Sequence, residues 1–250
     1  MNLNNFVVDR IVRAVGKSKE DKVLFAINQV TNASLNVTSE TAEAVDALGT
    51  PIAVFNRAKT AEFSAENALF DLNLMATQAG GKKVTGAAIV PAFDVIEEGK
   101  LKHAPIADDE GTAVVKFYTV NGDGSLGAEI GVDGEGKSDG TITVSGQTVT
   151  GLPTDTQVMA VYEYEAADAV AVVNSATEFP KACELVLEVL GCDVCNQEEL
   201  IYAYLIFPNF KISPDFDWSI ATDGAHPFSG QAMQNYCDTK KELYRLIIVE

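Results

Sequence analysis

The chain has 250 residues, ample for one large or two small domains with a real core, and 47% hydrophobic against 22% charged content excludes a wholly disordered chain. Acid outweighs base, 36 Asp+Glu to 18 Lys+Arg, and the excess is lopsided: residues 1–102 carry 12 acids and 11 bases, residues 103–250 carry 24 and 7. A surface this negative repels phosphate, so specific nucleic-acid binding is disfavoured, whereas a surface that lets DNA pass without holding it is allowed.

The opening segment MNLNNFVVDRIVRAVGKSK has no apolar run with a small-residue cleavage site, and no stretch of the chain approaches the length of a membrane span. A protein made and folded in the cytoplasm is the expectation. Apolar residues then recur mostly with period two. Residues 22–30 and 34–38 read as strands, and so do 52–58 and 60–65, the last two close enough for a hairpin or one bulged strand. Residues 40–48, closed by Gly49 and Pro51, read as a short helix or an ordered loop. The clearest helix is predicted over 68–79. Asn67 would cap it, Leu69, Leu72 and Met75 would share a face, Asp71 would sit in the first turns, and Gly80-Gly81 would stop it.

Residues 84–97 are β-prone, with Pro91 marking an edge or bend, and 112–120 alternate. Residues 121–151 hold 9 of the 19 glycines, which reads as turns and short strands. The stretch NGDGSLG lacks the strand-to-helix context of a dinucleotide fingerprint, the Lys of a P-loop and the acid spacing of a calcium loop. A hairpin is predicted about Ser145-Gly146. Strands are then predicted over 158–165, 169–174, 182–190, 200–207, 216–222, 228–234 and 243–249. The fold class is therefore mainly β, two packed antiparallel sheets of sandwich or barrel type with one flanking α-helix and an inserted Gly/Asp-rich β region.

Catalytic signals are sparse. The two histidines, His103 in a basic loop and His226 in an expected turn, lie in no nucleophile motif, and GxSxG is absent. The acid pairs Glu97-Glu98 and Glu198-Glu199 and the run Asp108-Asp109-Glu110 read as solvated loop charges. No enzyme activity and no cofactor are expected. Cys192 and Cys195 form the one metal-like spacing; a zinc ion there would need two more ligands, and Cys183 and Cys237 are the only other thiols. Buried or loop cysteines are the simpler reading.

Three stretches together resemble the major tail tube proteins of tailed bacteriophages. They are DALG with FNRAKTAEFSAEN (46–49 and 55–67), FPNFKISPDFD (207–217) and SIATDGAHPFSGQA (219–232). The resemblance implies a structural virion protein of the tail, made in the host cytoplasm and free of turnover. It implies a homo-oligomer of stacked, hexameric rings whose strands close a continuous barrel, with other tail proteins as partners and genomic DNA passing through an acidic bore. The whole chain, 1–250, would then be one tail-tube domain carrying an insertion or decoration at 103–151. Glu62 and Glu66 are candidates to face the bore, because Ala61, Phe63 and Ala65 between them would face the core. The alternative is a capsid decoration, collar or receptor-binding β-module.

Overall fold

The computed structural model describes residues 5–130, 142–222, 224–236 and 239–249. The chain divides into two compact units, one built from residues 1–83 and 172–250 and the other from Val84–Ala171. The expected insertion at 103–151 falls inside the second.

The first unit holds β1 (Phe6–Lys17), β2 (Val23–Ile27), β3 (Val30–Val45), β4 (Pro51–Asn67), α1 (Leu72–Gln78), β11 (Cys183–Asp193), β12 (Asn196–Ile212), β13 (His226–Ala232) and β14 (Arg245–Val249). Its eight strands form one sheet in the order β2-β1-β11-β12-β13-β4-β3, with β14 also on β12. Among the described residues every strand pairing within it is antiparallel. The sheet folds over on itself without closing into a barrel. Phe25 of β2 reaches Phe228 of β13 (ring centroids 6.5 Å apart), although three strands separate them in the sheet. Between the facing halves lies a core centred on Phe63, Phe207, Phe210 and Phe228, with Leu185, Leu187, Ile212 and Leu74 of α1. The rings of Phe63 lie 5.6–6.4 Å from the other three, tilted or edge-on, as aromatic quadrupoles favour.

Glycine makes room for two of these rings. A Cβ on Gly230 would come within 2.6 Å of the Phe210 ring and 2.4 Å of the Lys211 carbonyl, and a Cβ on Gly16 within 2.2 Å of the Phe25 ring. Each ring thus packs over the bare backbone of a neighbouring strand, which restores the apolar cover that glycine lacks. Pro208 is tolerated inside β12 because it sits at a register shift, where Leu185 pairs Phe207 and Cys183 pairs Phe210. Upstream of it β12 pairs β14; downstream it pairs β13.

The second unit contains β5 (Lys83–Val95), β6 (Val115–Val120), β7 (Leu126–Ile130), β8 (Thr143–Ser145), β9 (Thr148–Thr150) and β10 (Val158–Val172). A four-stranded sheet β5-β10-β6-β7 and the hairpin β8-β9 enclose a separate core of Phe117, Ile142, Val149, Val158, Ala160 and Tyr162. A buried polar clamp ties it together. Tyr162 Oη donates to Asp94 Oδ2 (2.5 Å), the Lys102 backbone N–H donates to the same oxygen (2.8 Å), and the His103 N–H donates to Tyr162 Oη (3.0 Å). Burial, and then the bond to the Asp94 carboxylate, push the Tyr162 phenol up to about 12. Burial alone would raise the Asp94 carboxyl, but the donors Tyr162 and Lys102 hold it below its ordinary value.

Several sequence expectations need correction. Residues 40–48 are not helical: β3 runs on to Val45 and a turn follows, in which Asp46 Oδ1 accepts from the N–H groups of Leu48 and Thr50 (2.8 Å each). The helix is shorter than 68–79 and is capped by Asp71, not Asn67; Asp71 Oδ1 accepts from Leu74 N–H at 2.7 Å. Asn67 belongs to β4, and its side-chain amide donates to the Leu69 carbonyl. Residues 216–222 are loop, pinned where Trp218 stacks on Phe70 (4.3 Å). The runs 52–58 and 60–65 are one bulged strand, and 158–165 with 169–174 merge into β10. The central part of 121–151 lies outside the described residues, as does Cys237.

Candidate assembly surfaces

The alternation in β4 places Ala61, Phe63 and Ala65 in the core and sends Glu62, Ser64 and Glu66 to the outer side. Cross-strand registry extends that outer side over four strands. Lys211 of β12 pairs Gln231 of β13, which pairs Glu62 of β4, which pairs Asn36 of β3; one row on, Ser229 pairs Ser64 and Ser64 pairs Ser34. A shallow groove runs across these two rows. At its end Glu66 accepts from Asn32 Nδ2 (2.7 Å), whereas Glu62 is exposed. The face is made mostly of small, uncharged polar side chains, with Glu62, Glu66 and Lys211 as its charges. The edge of the sheet beside it is β3, which ends the strand order and pairs only β4. Its sixteen residues, VTNASLNVTSETAEAV, include no Lys, Arg or Pro, and what blunts this edge is Glu40, Glu43 and three register shifts against β4.

The far halves of β3 and β4 leave the core and project as a two-stranded arm. Ala42 pairs Phe55 and Glu43 pairs Val54, so Val54 and Phe55 present opposite faces. The arm is apolar on both: Val45, Ile52, Val54 and Phe55 are exposed, and Leu48 at the tip is 91% exposed.

The other half of the sheet has a different outer side. In β11, Leu185, Leu187 and Val189 point to the core, which turns the half-buried Val186 and Glu188 and the buried Leu190 to the opposite side. Leu190 pairs Tyr202 and Tyr202 pairs Val249; Glu188 pairs Tyr204 and Tyr204 pairs Ile247; Val186 pairs Ile206 and Ile206 pairs Arg245. Arg13 of β1 pairs Glu188 in register and closes an ion pair with it at 2.9 Å. This side is aliphatic and aromatic, with Leu200, Tyr202, Ile247 and Val249 exposed.

The remaining candidates do not converge on chemistry. Cys192 and Cys195 flank the tight β11–β12 turn, where the Cys195 N–H donates to Asp193 Oδ1 (2.9 Å). Cys183 begins β11, eight pairs back, inside the core, where burial pushes its thiol up to about 11. Among the described residues no three His, Cys, Asp or Glu side chains gather as metal ligands. His103 stacks on Tyr164 (3.9 Å) in the second unit.

His226 is a correction, since it begins β13 and is fully buried instead of lying in a turn. Its Nδ1 accepts the Asp71 backbone N–H (3.3 Å), leaving the proton of the neutral ring on Nε2, which donates to Gln78 Oε1 (2.7 Å). Gln78 Nε2 in turn donates to the Pro227 carbonyl (3.0 Å), and Phe70 stacks on the imidazole (4.8 Å). The histidine therefore fastens α1 to β13. Burial pulls its pKa below the ordinary value, against a weaker upward pull from Asp71. Among the described residues no helix is long and apolar enough to cross a membrane.

The family model of the YomU/Tube protein family matches residues 6–245. No curated protein matches the chain significantly.

Proposed function

Because the chain belongs to the YomU/Tube protein family, we propose that it is the building block of a phage tail tube. Copies join side by side into rings, hexameric as the tail-tube resemblance implies, and the rings stack into a conduit for the genome. The observation that carries this reading is β3, a sixteen-residue edge strand without a protecting Lys, Arg or Pro, set beside a polar sheet face. An edge of this kind is satisfied when a sister copy extends the sheet, and a closed ring leaves no edge open.

The polar face of β12, β13, β4 and β3 supplies the wall of the bore, with Glu62 and Glu66 facing it. Small neutral side chains with scattered acid, Lys211 being the cation in the row of Glu62, hold phosphate weakly and let DNA keep moving. The protein then acts by assembly, in the virion tail with other tail proteins as neighbours, and not by turnover. The second unit, with its own core, fits the decoration carried within the chain. Negative-stain electron microscopy of the purified protein tests the reading. Rings or hollow tubes are expected; monomers that persist at high concentration would rule it out.

A further inference from the structure

The turn that joins β6 to β7 carries the NGDGS stretch, which the assembly proposed above does not use. Asn121 N–H donates to the Ser125 carbonyl and Gly124 N–H to the Asn121 carbonyl, 2.9 Å each, so the two ends of the turn are tied. Two bonds prone to ring closure lie in it, Asn121-Gly122 and Asp123-Gly124, and the turn treats them differently. Closure needs a free backbone N–H on the following residue, an electrophilic side-chain carbonyl carbon and no Cβ in the way. At the second bond the Gly124 N–H is engaged. Asp123 Oδ1 also accepts from the Oγ (2.6 Å) and the N–H (3.0 Å) of Ser125, bonds that hold the carboxyl below its ordinary value. An ionised carboxylate is a poor electrophile. At the first bond, among the described residues, the Gly122 N–H donates to nothing. Asn121 is exposed, its side chain held only where Nδ2 donates to Ser125 Oγ (3.0 Å). It is the one asparagine of the chain that precedes glycine.

The structure assigns Asn121 as a site of spontaneous deamidation. Gly122 N gives up its proton to solvent base and bonds to Asn121 Cγ; the Cγ–Nδ2 bond breaks and ammonia leaves, closing a succinimide ring. Water then opens the ring at either carbonyl and leaves aspartate or isoaspartate at position 121. One water is taken up and one ammonia released, with no oxidant or reductant. The product sets a second carboxylate beside Asp123 on the same Ser125 hydroxyl, and the isoaspartate form also lengthens the main chain by a carbon. Both loosen the turn that fixes Val120 opposite Leu126, at the edge strand β7.

Gly122 provides the test, because a Cβ there meets nothing within 4 Å and its backbone is not left-handed. Gly122→Ala should fold like wild type, as far-UV circular dichroism would verify, while its methyl group and narrower backbone freedom obstruct closure. The purified protein is held in warm, mildly alkaline buffer. Released ammonia is assayed, and peptides are mapped by mass spectrometry with isoaspartate tagged by an isoaspartyl methyltransferase. Wild type should release ammonia in step with conversion at position 121, and Gly122→Ala should do so about tenfold more slowly. Equal rates in wild type and the folded alanine variant would overturn the assignment. So would conversion that maps to Asp123 or to the exposed Asn174, or an Asn121 that survives in the folded protein while it is lost in urea.

Discussion

The two halves of the large sheet share one core and differ in what they show to the outside. Over the core, β13 and residues 61–66 of β4 alternate, phenylalanine and alanine inward and serine, glutamine and glutamate outward. From β11 to β14 the outward positions are nearly as apolar as the inward ones, as in VLEVL of β11 and LIIV of β14. A strand buried on one side reads as alternation, and a strand that will be covered on both reads as a continuous apolar run. The comparison shows that over the core the first half presents a polar outer side and the second an apolar one.

The largest effect is expected where the halves meet. Phe207→Ala removes a fully buried ring that touches Phe63, Phe210 and Tyr244, and should cost about 3–5 kcal/mol in chemical denaturation. A loss under about 1 kcal/mol would mean that the halves do not share a core. Gly230→Ala should cost less, about 1–3 kcal/mol, because its methyl group collides with the Lys211 carbonyl and the Phe210 ring.

The clasp of α1 on β13 gives a pH dependence. With the native pKa of His226 below 6.5, the unfolded chain binds the proton first as pH falls. This contribution is fully present above pH 6.5 and is lost as pH drops from there through the lowered native value. Thermal unfolding from pH 7.5 to 5 should show it, and His226→Gln should flatten that part of the profile. An unchanged slope in the variant would place the acid sensitivity elsewhere. The smallest effect is expected on the polar side, where Ser64→Ala should change stability by no more than about 0.5 kcal/mol; a larger loss would mean that this side is packed and not open.

The contrast also explains what the sequence made legible. Period two located most strands, and the alternation AEFSAE correctly put Ala61, Phe63 and Ala65 in the core. Helix 68–79 was placed but its cap was not, because Asn67 and Asp71 are both good caps and only the tertiary role of Asn67 as the last residue of β4 chooses between them. Residues 40–48, closed by Gly49 and Pro51, read as a short helix or an ordered loop, and pairing with β4 carries β3 on to Val45 instead. The alternation of residues 216–222 suggested a strand, whereas stacking of Trp218 on Phe70 ties the segment down as a loop. The apolar outer side of β11, β12 and β14 was hidden for a different reason. It arises only when three strands distant in sequence come into register, and a lone apolar run does not reveal how many of its sides are covered.

The order in which the chain is made bears on the interruption between β5 and β10. β1 finds its partner β11 far along the chain, Lys17 pairing Glu184 and Phe6 pairing Asp193, yet Gly81 and the Val173 carbonyl lie side by side (3.2 Å from an ideal Cβ), so the intervening segment returns to where it left. A contiguous unit with its own core can form as soon as it has left the ribosome, and once formed it replaces a long floppy loop by a short fixed span. Closing β1 on β11 then carries a much smaller entropic penalty. Nascent chains halted once residue 182 has cleared the ribosome should already protect residues 84–130 and 142–171 from protease while leaving β1 open to cleavage. On that view the interruption acts during synthesis as an internal splint, holding the early strands within reach of the late ones.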